Sequence, residues 1–502
     1  MLPWYTVEMH CSTWDMKMNR LKRLMMIKSL LTIILFVISN WAVSQELDDY
    51  FKGEIFQHAS LSVSVVDQDG TELYGLNSKK NLIPASSQKL ITTLIALDVL
   101  GPNHTFTRTI GYRGEIINDG TLYGDLVIRG GGDPSLGSPE MPGVPRLEEV
   151  LLQLTELIKD EGITCIEGDI LVDGSLFDHI SIQRAWTWDD LTNYYAAGTS
   201  GLNIHENLFE LTFQRSQTQG RSTRITKIHP YIPGLVIHNS VKIGEPGSGD
   251  EAYLYGDPYG YIREVRGTIP PGKSDFTIKG AIPDPPLLFA HLMKGLLLKK
   301  GYSIGGTAKE KDSTSEEGTI TWFGELESPS LESLVKWINA RSNNLYCETL
   351  IKHLGLTESS VGSYEDGMKV LSERIEDIAG ASVHIKLDDG SGLSMRNRVN
   401  AHGMTQFLLS ISKKMGLGQI KKVIPRGGER GMRSFLENHP GQSSIWLKSG
   451  SMESVLSYAG IVVNSGGDPL FVSIISNGHH VSNREMRSAM EGFIEHIFEQ
   501  RL

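Results

Sequence analysis

From 61 to 77, apolar and polar residues alternate around Asp67-Gln68-Asp69-Gly70, a pattern that predicts a β-hairpin turning at those four residues. Pro84-Ala85-Ser86 then opens a helix with Leu90, Leu94 and Leu97 at helical spacing, and Gly101 ends it. From about Thr105 to Ile282 the texture changes. Short strand-like runs at 121–129, 166–172, 208–213 and 235–243 alternate with Gly- and Pro-rich turns, which predicts β-rich modules and not a βα array. Helical periodicity returns at 285–300 and again at 331–354. After a strand-like 444–447, the chain closes with strands at 457–464 and 470–477 and a helix at 483–499. The pattern predicts one α/β domain built from both ends of the chain, residues 45–104 plus 283–502. A β-rich insertion of one or two small domains, 105–282, interrupts it.

The first 44 residues stand apart. Lys17, Arg20, Lys22, Arg23 and Lys28 precede a short apolar stretch, 30–38, and Ala42-Val43-Ser44 offers small residues for cleavage before Gln45. That is the layout of a secretory signal peptide, with an apolar run too short for a comfortable transmembrane span. An exported protein with no integral span after cleavage is the expectation, periplasmic or otherwise outside the cytoplasm. Composition narrows the rest. Of 502 residues, 40% are hydrophobic and 21% charged, which is ordinary for a large globular chain. The net charge of -11 and the lack of a basic, aromatic-studded run argue against a nucleic-acid partner. Cys165 and Cys347 are the two cysteines beyond the leader, far apart in sequence, so no disulfide framework supplies stability.

Three short elements carry candidate chemistry. In Ser86-Ser87-Gln88-Lys89, a serine at a helix N-terminus has a lysine one turn on, where burial would let the amine accept the hydroxyl proton. In Ser342-Asn343-Asn344, expected near the middle of a helical stretch, the hydroxyl would relay a proton to a leaving amine while Asn344 orients the lysine. In Lys448-Ser449-Gly450, after a strand, the lysine and hydroxyl would hold a carboxylate. Gly450 would let a substrate backbone lie close, and the N–H groups of Ser451 and Ser86 would form an oxyanion hole. Gly301-Tyr302-Ser303-Ile304-Gly305 matches a nucleophile elbow, but it follows a helix instead of a strand. No metal-binding spacing is present, and no cofactor is implied.

Taken in order, the three elements are the signature of penicillin-binding proteins and class A β-lactamases. About half the chain separates Ser86 from Ser342, more than a compact β-lactamase needs. The chain resembles the D-alanyl-D-alanine carboxypeptidase/endopeptidase family, the class C low-molecular-mass penicillin-binding proteins. Supporting runs are Gly130-Gly131-Gly132-Asp133-Pro134-Ser135-Leu136, Trp186-Thr187-Trp188-Asp189-Asp190 and Asp389-Gly390-Ser391-Gly392-Leu393-Ser394. The resemblance implies a serine β-lactamase/transpeptidase-like domain, an antiparallel sheet flanked by helices, with inserted domains. It also implies hydrolysis of peptidoglycan stem peptides and cross-links through an acyl-enzyme, and covalent inhibition by β-lactam antibiotics. Ser86 would be acylated, with Lys89 as base, Ser342 and Asn344 in the relay, and Lys448 and Ser449 on the terminal carboxylate. Trp186, Asp190, Tyr194 and Met452 would bind the side chain before the scissile D-Ala, the acid pairing with a diaminopimelate ammonium. Asn343 stands where relatives often carry Asp, Ser449 where Thr is commoner, and Met395 precedes Arg396 where many relatives place the arginine at once. A β-lactamase and a non-catalytic wall-binding scaffold are the competing readings.

Overall fold

The structure is a computed structural model that describes residues 45–311 and 318–499, with residues 26 and 28 as isolated positions. Almost all of the expected signal segment, 17–44, therefore lies outside the described residues. No helix among those described is long and apolar enough to cross a membrane.

A five-stranded antiparallel sheet joins the two ends of the chain, in the order Ile445–Met452, Val455–Val463, Pro469–Asn477, Ser60–Val66, Glu72–Leu76. The expected hairpin is its far edge, where Asp67 Oδ1 accepts the N–H groups of Asp69, Gly70 and Thr71. Successive strand residues point to opposite faces, and both faces are covered, so the central strands are buried at nearly every position, their few serines included. Leu456, Tyr458 and Val462 meet Met486, Met490, Phe493 and Ile497 of the helix Asn483–Glu499, together with Phe51 and Phe56. Ala459 and Ile461 face the other way, into a core filled from Lys89–Leu100, Leu331–Arg341, Asn344–Gly355, Tyr364–Ala379 and Ala401–Met415. This is the antiparallel, helix-flanked sheet that the family resemblance implies.

The insertion extends further than expected. Its main sheet has seven strands: Ser303–Ile304, Cys165–Ile166, Thr121–Arg129, Thr107–Ile116 and Ile320–Glu327 in order, with Ile170–Asp173 and Ala308–Glu310 alongside. Residues 285–310 and 320–327 thus belong to this sheet and its core, and the helical domain resumes at Leu331 instead of 283. The reason is burial: Phe289, Met293 and Leu297 of the helix Pro285–Lys299 share a core with Val150, Leu154 and Ile158 of Leu147–Asp160. That second helix lies in the stretch expected to be β-rich, where no helix is singled out from the sequence. Two smaller sheets complete the insertion, one of Leu208–Gln214, Arg224–His229 and Phe276–Ala281, the other of four strands between Val236 and Ile269. Ser303 of the elbow-like pentapeptide sits in a two-residue strand of the large sheet.

Candidate active site

Ala85–Gln88 form one 3-10 turn that runs directly into the helix Lys89–Leu100. Ala85 has φ 46°, left-handed backbone that is costly for a residue with a Cβ. The surroundings hold it there. Ser457 Oγ and Ser87 Oγ donate to the Pro84 carbonyl at 2.5 and 2.8 Å. Gly392, itself at φ 84°, packs so tightly that a Cβ on it would lie 2.1 Å from the Ala85 oxygen. Ser86 is thereby left partly exposed, while Lys89, one turn on, is fully buried. Lys89 Nζ donates to Ser86 Oγ at 2.9 Å, Asn344 Oδ1 at 2.6 Å and the Ser391 carbonyl at 2.6 Å. Burial lowers the pKa of this amine, opposed by the nearby Asp389 and Glu348 carboxyls.

The second element does not lie within a helix. Leu331–Arg341 ends at Ser342, which takes φ 59° and ψ 34°, and a new helix, Asn344–Gly355, begins two residues later. The break is built from caps. Ser342 N–H closes the first helix on the Ile338 carbonyl at 2.7 Å, and Asn343 Oδ1 caps the second by accepting from Tyr346 N–H at 3.3 Å. The turn aims Ser342 Oγ at Lys448, whose Nζ donates to it at 3.1 Å and to the Ser449 carbonyl at 2.6 Å. Burial, aided by repulsion from Lys89, lowers the Lys448 amine to about 7.

The strand Ile445–Met452 is an edge of the sheet. Leu447 N–H donates outward to the Pro425 carbonyl and Gly427 N–H to the Ile445 carbonyl, both at 3.0 Å. By the two-residue period of a strand, the backbones of Ser449 and Ser451 also face outward, beyond the reach of that covering segment. The side-chain positions of Lys448 and Gly450 point to the helical face. A Cβ at Gly450 would lie 2.6 Å from both Ser86 N and Ser87 N, so only glycine admits this approach of strand to helix. Ser86, Lys89, Ser342, Asn344, Lys448, Ser449, Gly450 and Ser451 are therefore brought together.

The other candidates divide. Trp186 is buried, and its Nε1 donates to Asp389 Oδ2 at 2.9 Å. Asp190 accepts from Thr187 N–H and Oγ1 at 3.1 and 2.7 Å, and Met452 ends the edge strand with its carbonyl accepting from Asn483. Tyr194 is exposed and lines a cavity of about 550 Å³ that opens beside Ser342, Asn343 and Asn344. Neither Trp186, Asp190 nor Met452 lines it. Its charged lining is Glu140, Glu206, Asp250, Lys279 and Arg341, none singled out from the sequence, because these residues sit on separate elements with no shared motif. Glu140 pairs with both Lys279 and Arg341, while burial raises Glu206 above the usual carboxylate range. Arg396 is exposed, as is Met395 before it.

The model of the D-Ala-D-Ala carboxypeptidase 3 (S13) family matches residues 43–497. The D-alanyl-D-alanine carboxypeptidase of Actinomadura sp. strain R39 is 23% identical over 87% of this chain and 81% of its own. The carboxypeptidase DacB of Haemophilus influenzae is also 23% identical, over 85% of this chain and 86% of its own. Among solved structures, penicillin-binding protein 4 of Haemophilus influenzae superposes with a TM-score of 0.76 at 20% identity, covering 90% of this chain and 99% of that one. A predatory peptidoglycan endopeptidase of Bdellovibrio bacteriovorus does so with a TM-score of 0.51 at 14% identity, covering 88% and 92%. These likenesses extend across the insertion as well as the helical domain.

Proposed function

The chain belongs to the D-Ala-D-Ala carboxypeptidase 3 (S13) family, and from that premise we propose that it is a serine-type D-alanyl peptidase working through an acyl-enzyme on Ser86. Its substrates are peptidoglycan stem peptides ending in D-Ala-D-Ala, D-alanyl cross-links, or both. One observation carries the reading: two lysines, two serines and an asparagine converge, with Lys89 on Ser86 at 2.9 Å and Lys448 on Ser342 at 3.1 Å.

The geometry suits each step. With Lys89 neutral, Asn344 Oδ1 and the Ser391 carbonyl hold its two N–H groups, and the lone pair faces the Ser86 hydroxyl. Ser86 Oγ attacks the D-Ala carbonyl and passes its proton to Lys89. Ser86 N–H and Ser451 N–H stabilise the oxyanion. The C–N bond then breaks as the proton held by Lys89 passes through Ser342, beside Lys448, to the leaving amine, which leaves Lys89 neutral again. Lys448 and Ser449 bind the carboxylate next to the scissile bond. Water, deprotonated by Lys89, attacks the ester carbonyl, and the bond to Ser86 Oγ breaks as Lys89 hands that proton back to the serine. β-Lactams acylate the same serine. Such substrates lie outside the cytoplasm, so residues 17–44 act as the export signal.

Fluorescent penicillin should label the wild type covalently, and Ser86→Ala should take up none. Equal labelling of the two proteins sinks the mechanism. Digestion of purified muropeptides, read by mass spectrometry, then reports which D-alanyl bonds are cut. Rapid steady-state nitrocefin turnover would favour a β-lactamase, and sacculus binding without D-Ala release would favour a scaffold.

A further inference from the structure

Glu348 is completely buried within Asn344–Gly355, the helix that begins at Asn344. Among the described residues no lysine or arginine lies at ion-pair distance from it. Its partners are backbone: Oε1 accepts Ser391 N–H at 2.8 Å and Gly390 N–H at 3.1 Å, with Oε2 also 3.2 Å from the latter. The peptide held in this way has a second side. Thr92 Oγ1 donates to the Gly390 carbonyl at 2.7 Å, and the Ser391 carbonyl accepts from Lys89 Nζ at 2.6 Å. An unpaired buried carboxyl is expensive to keep in a protein, and this one touches neither a metal ligand set nor the cavity. What it does touch is the turn that fixes one of the three acceptors around the candidate base.

We propose that Glu348 is a positioning residue for acylation: by clamping the N–H groups of Gly390 and Ser391 it aims the Ser391 carbonyl at Lys89 and so keeps the amine's free pair on Ser86. The claim rests on the reading of Ser86 and Lys89 given above. Burial, reinforced by Asp389, pushes the Glu348 carboxyl up to about 8, so at neutral pH the clamp works through an acceptor oxygen and not through a full negative charge. Reach, therefore, matters more than charge. Glutamine keeps the reach and one acceptor oxygen. Aspartate keeps the carboxyl but withdraws it by one methylene.

The test is pre-steady-state acylation by fluorescent penicillin at pH 7, separating the initial binding constant from the acylation rate constant. Glu348→Asp should acylate at least tenfold more slowly with binding unchanged. Glu348→Gln should stay within about threefold of wild type. A rate for Glu348→Asp equal to wild type, or a slower Glu348→Gln than Glu348→Asp, overturns the proposal. Should binding weaken as much as acylation, the effect is general disruption and the proposal also fails. Because both variants preserve most of the side chain, neither depends on a folded alanine mutant. A wild type that takes up no penicillin would sink the enzyme reading itself, a result separable from each of these.

Discussion

At the scale of single residues, Gly450 shows how a small motif encodes a large constraint. Gly450→Ala places a methyl group against Ser86 N and Ser87 N, displacing the donors that an oxyanion requires. The expected loss of acylation rate is about 100-fold or more, measurable with fluorescent penicillin. Lys448 sets a pH limit. Its pKa of about 7 means that the free enzyme loses this positive charge as pH rises through neutrality. On the proposed role, the form that binds the substrate carboxylate is present below that point, so kcat/KM for a D-Ala-D-Ala peptide should fall on the alkaline side, with its midpoint near pH 7. A rate–pH profile flat from 6 to 9 would contradict that assignment. The residues that converge at the candidate site were legible in the sequence because each element is local, three or four residues long, and its residue types suit the proton transfer and carboxylate binding proposed for them. Trp186 was not legible in the same way. Its composition marks it as aromatic and amphipathic, but only the fold determines that its indole N–H meets Asp389.

At the scale of elements, the break at Ser342 escaped the sequence reading because apolar periodicity continues on both sides of it. Leu334 and Ile338 precede the break and Leu345, Leu350 and Ile351 follow, so 331–354 reads as one amphipathic helix. The signal that was present is the capping preference of Asn343. Its side chain also donates to Glu206 Oε2 at 3.0 Å. Asn343→Asp should keep the cap but set two carboxyls together, costing about 1–3 kcal/mol of stability at neutral pH. Because burial already holds Glu206 above the usual range, the deficit should shrink as pH falls and that carboxyl takes up a proton. Thermal unfolding at pH 7.5 and pH 5 reads the difference, and an equal loss at both would refute it. The helix Leu147–Asp160 was missed for another reason. Leu147, Val150, Leu151, Leu154 and Ile158 have helical spacing, but the Gly- and Pro-rich stretches on either side dominate the local texture.

At the scale of the molecule, the insertion is fastened to the candidate site at several points. Asn344 Nδ2 donates to the Tyr195 carbonyl at 2.8 Å, buried Lys352 pairs with Asp178 at 2.6 Å, and Trp186 meets Asp389. Asp389 in turn accepts from Gly392 N–H, Ser394 N–H and Asn397, which sets the course of the loop reaching Lys89. Trp186→Phe should therefore lower stability by about 1–3 kcal/mol and slow acylation while leaving substrate preference alone; a changed preference with unchanged acylation would show contact with substrate instead. The order of large segments was readable from their texture, but the far border of the insertion was not, since the returning strands at 303–304, 308–310 and 320–327 acquire meaning only beside partners more than a hundred residues away. The edge strand has one last consequence. Bare sheet margins invite other chains to join them, and proteins guard against that by leaving little of the margin open. Here the 425–427 segment shields the margin up to Leu447, so what remains free is long enough to grip a short peptide by its backbone and too brief to seed the stacking of one copy on another.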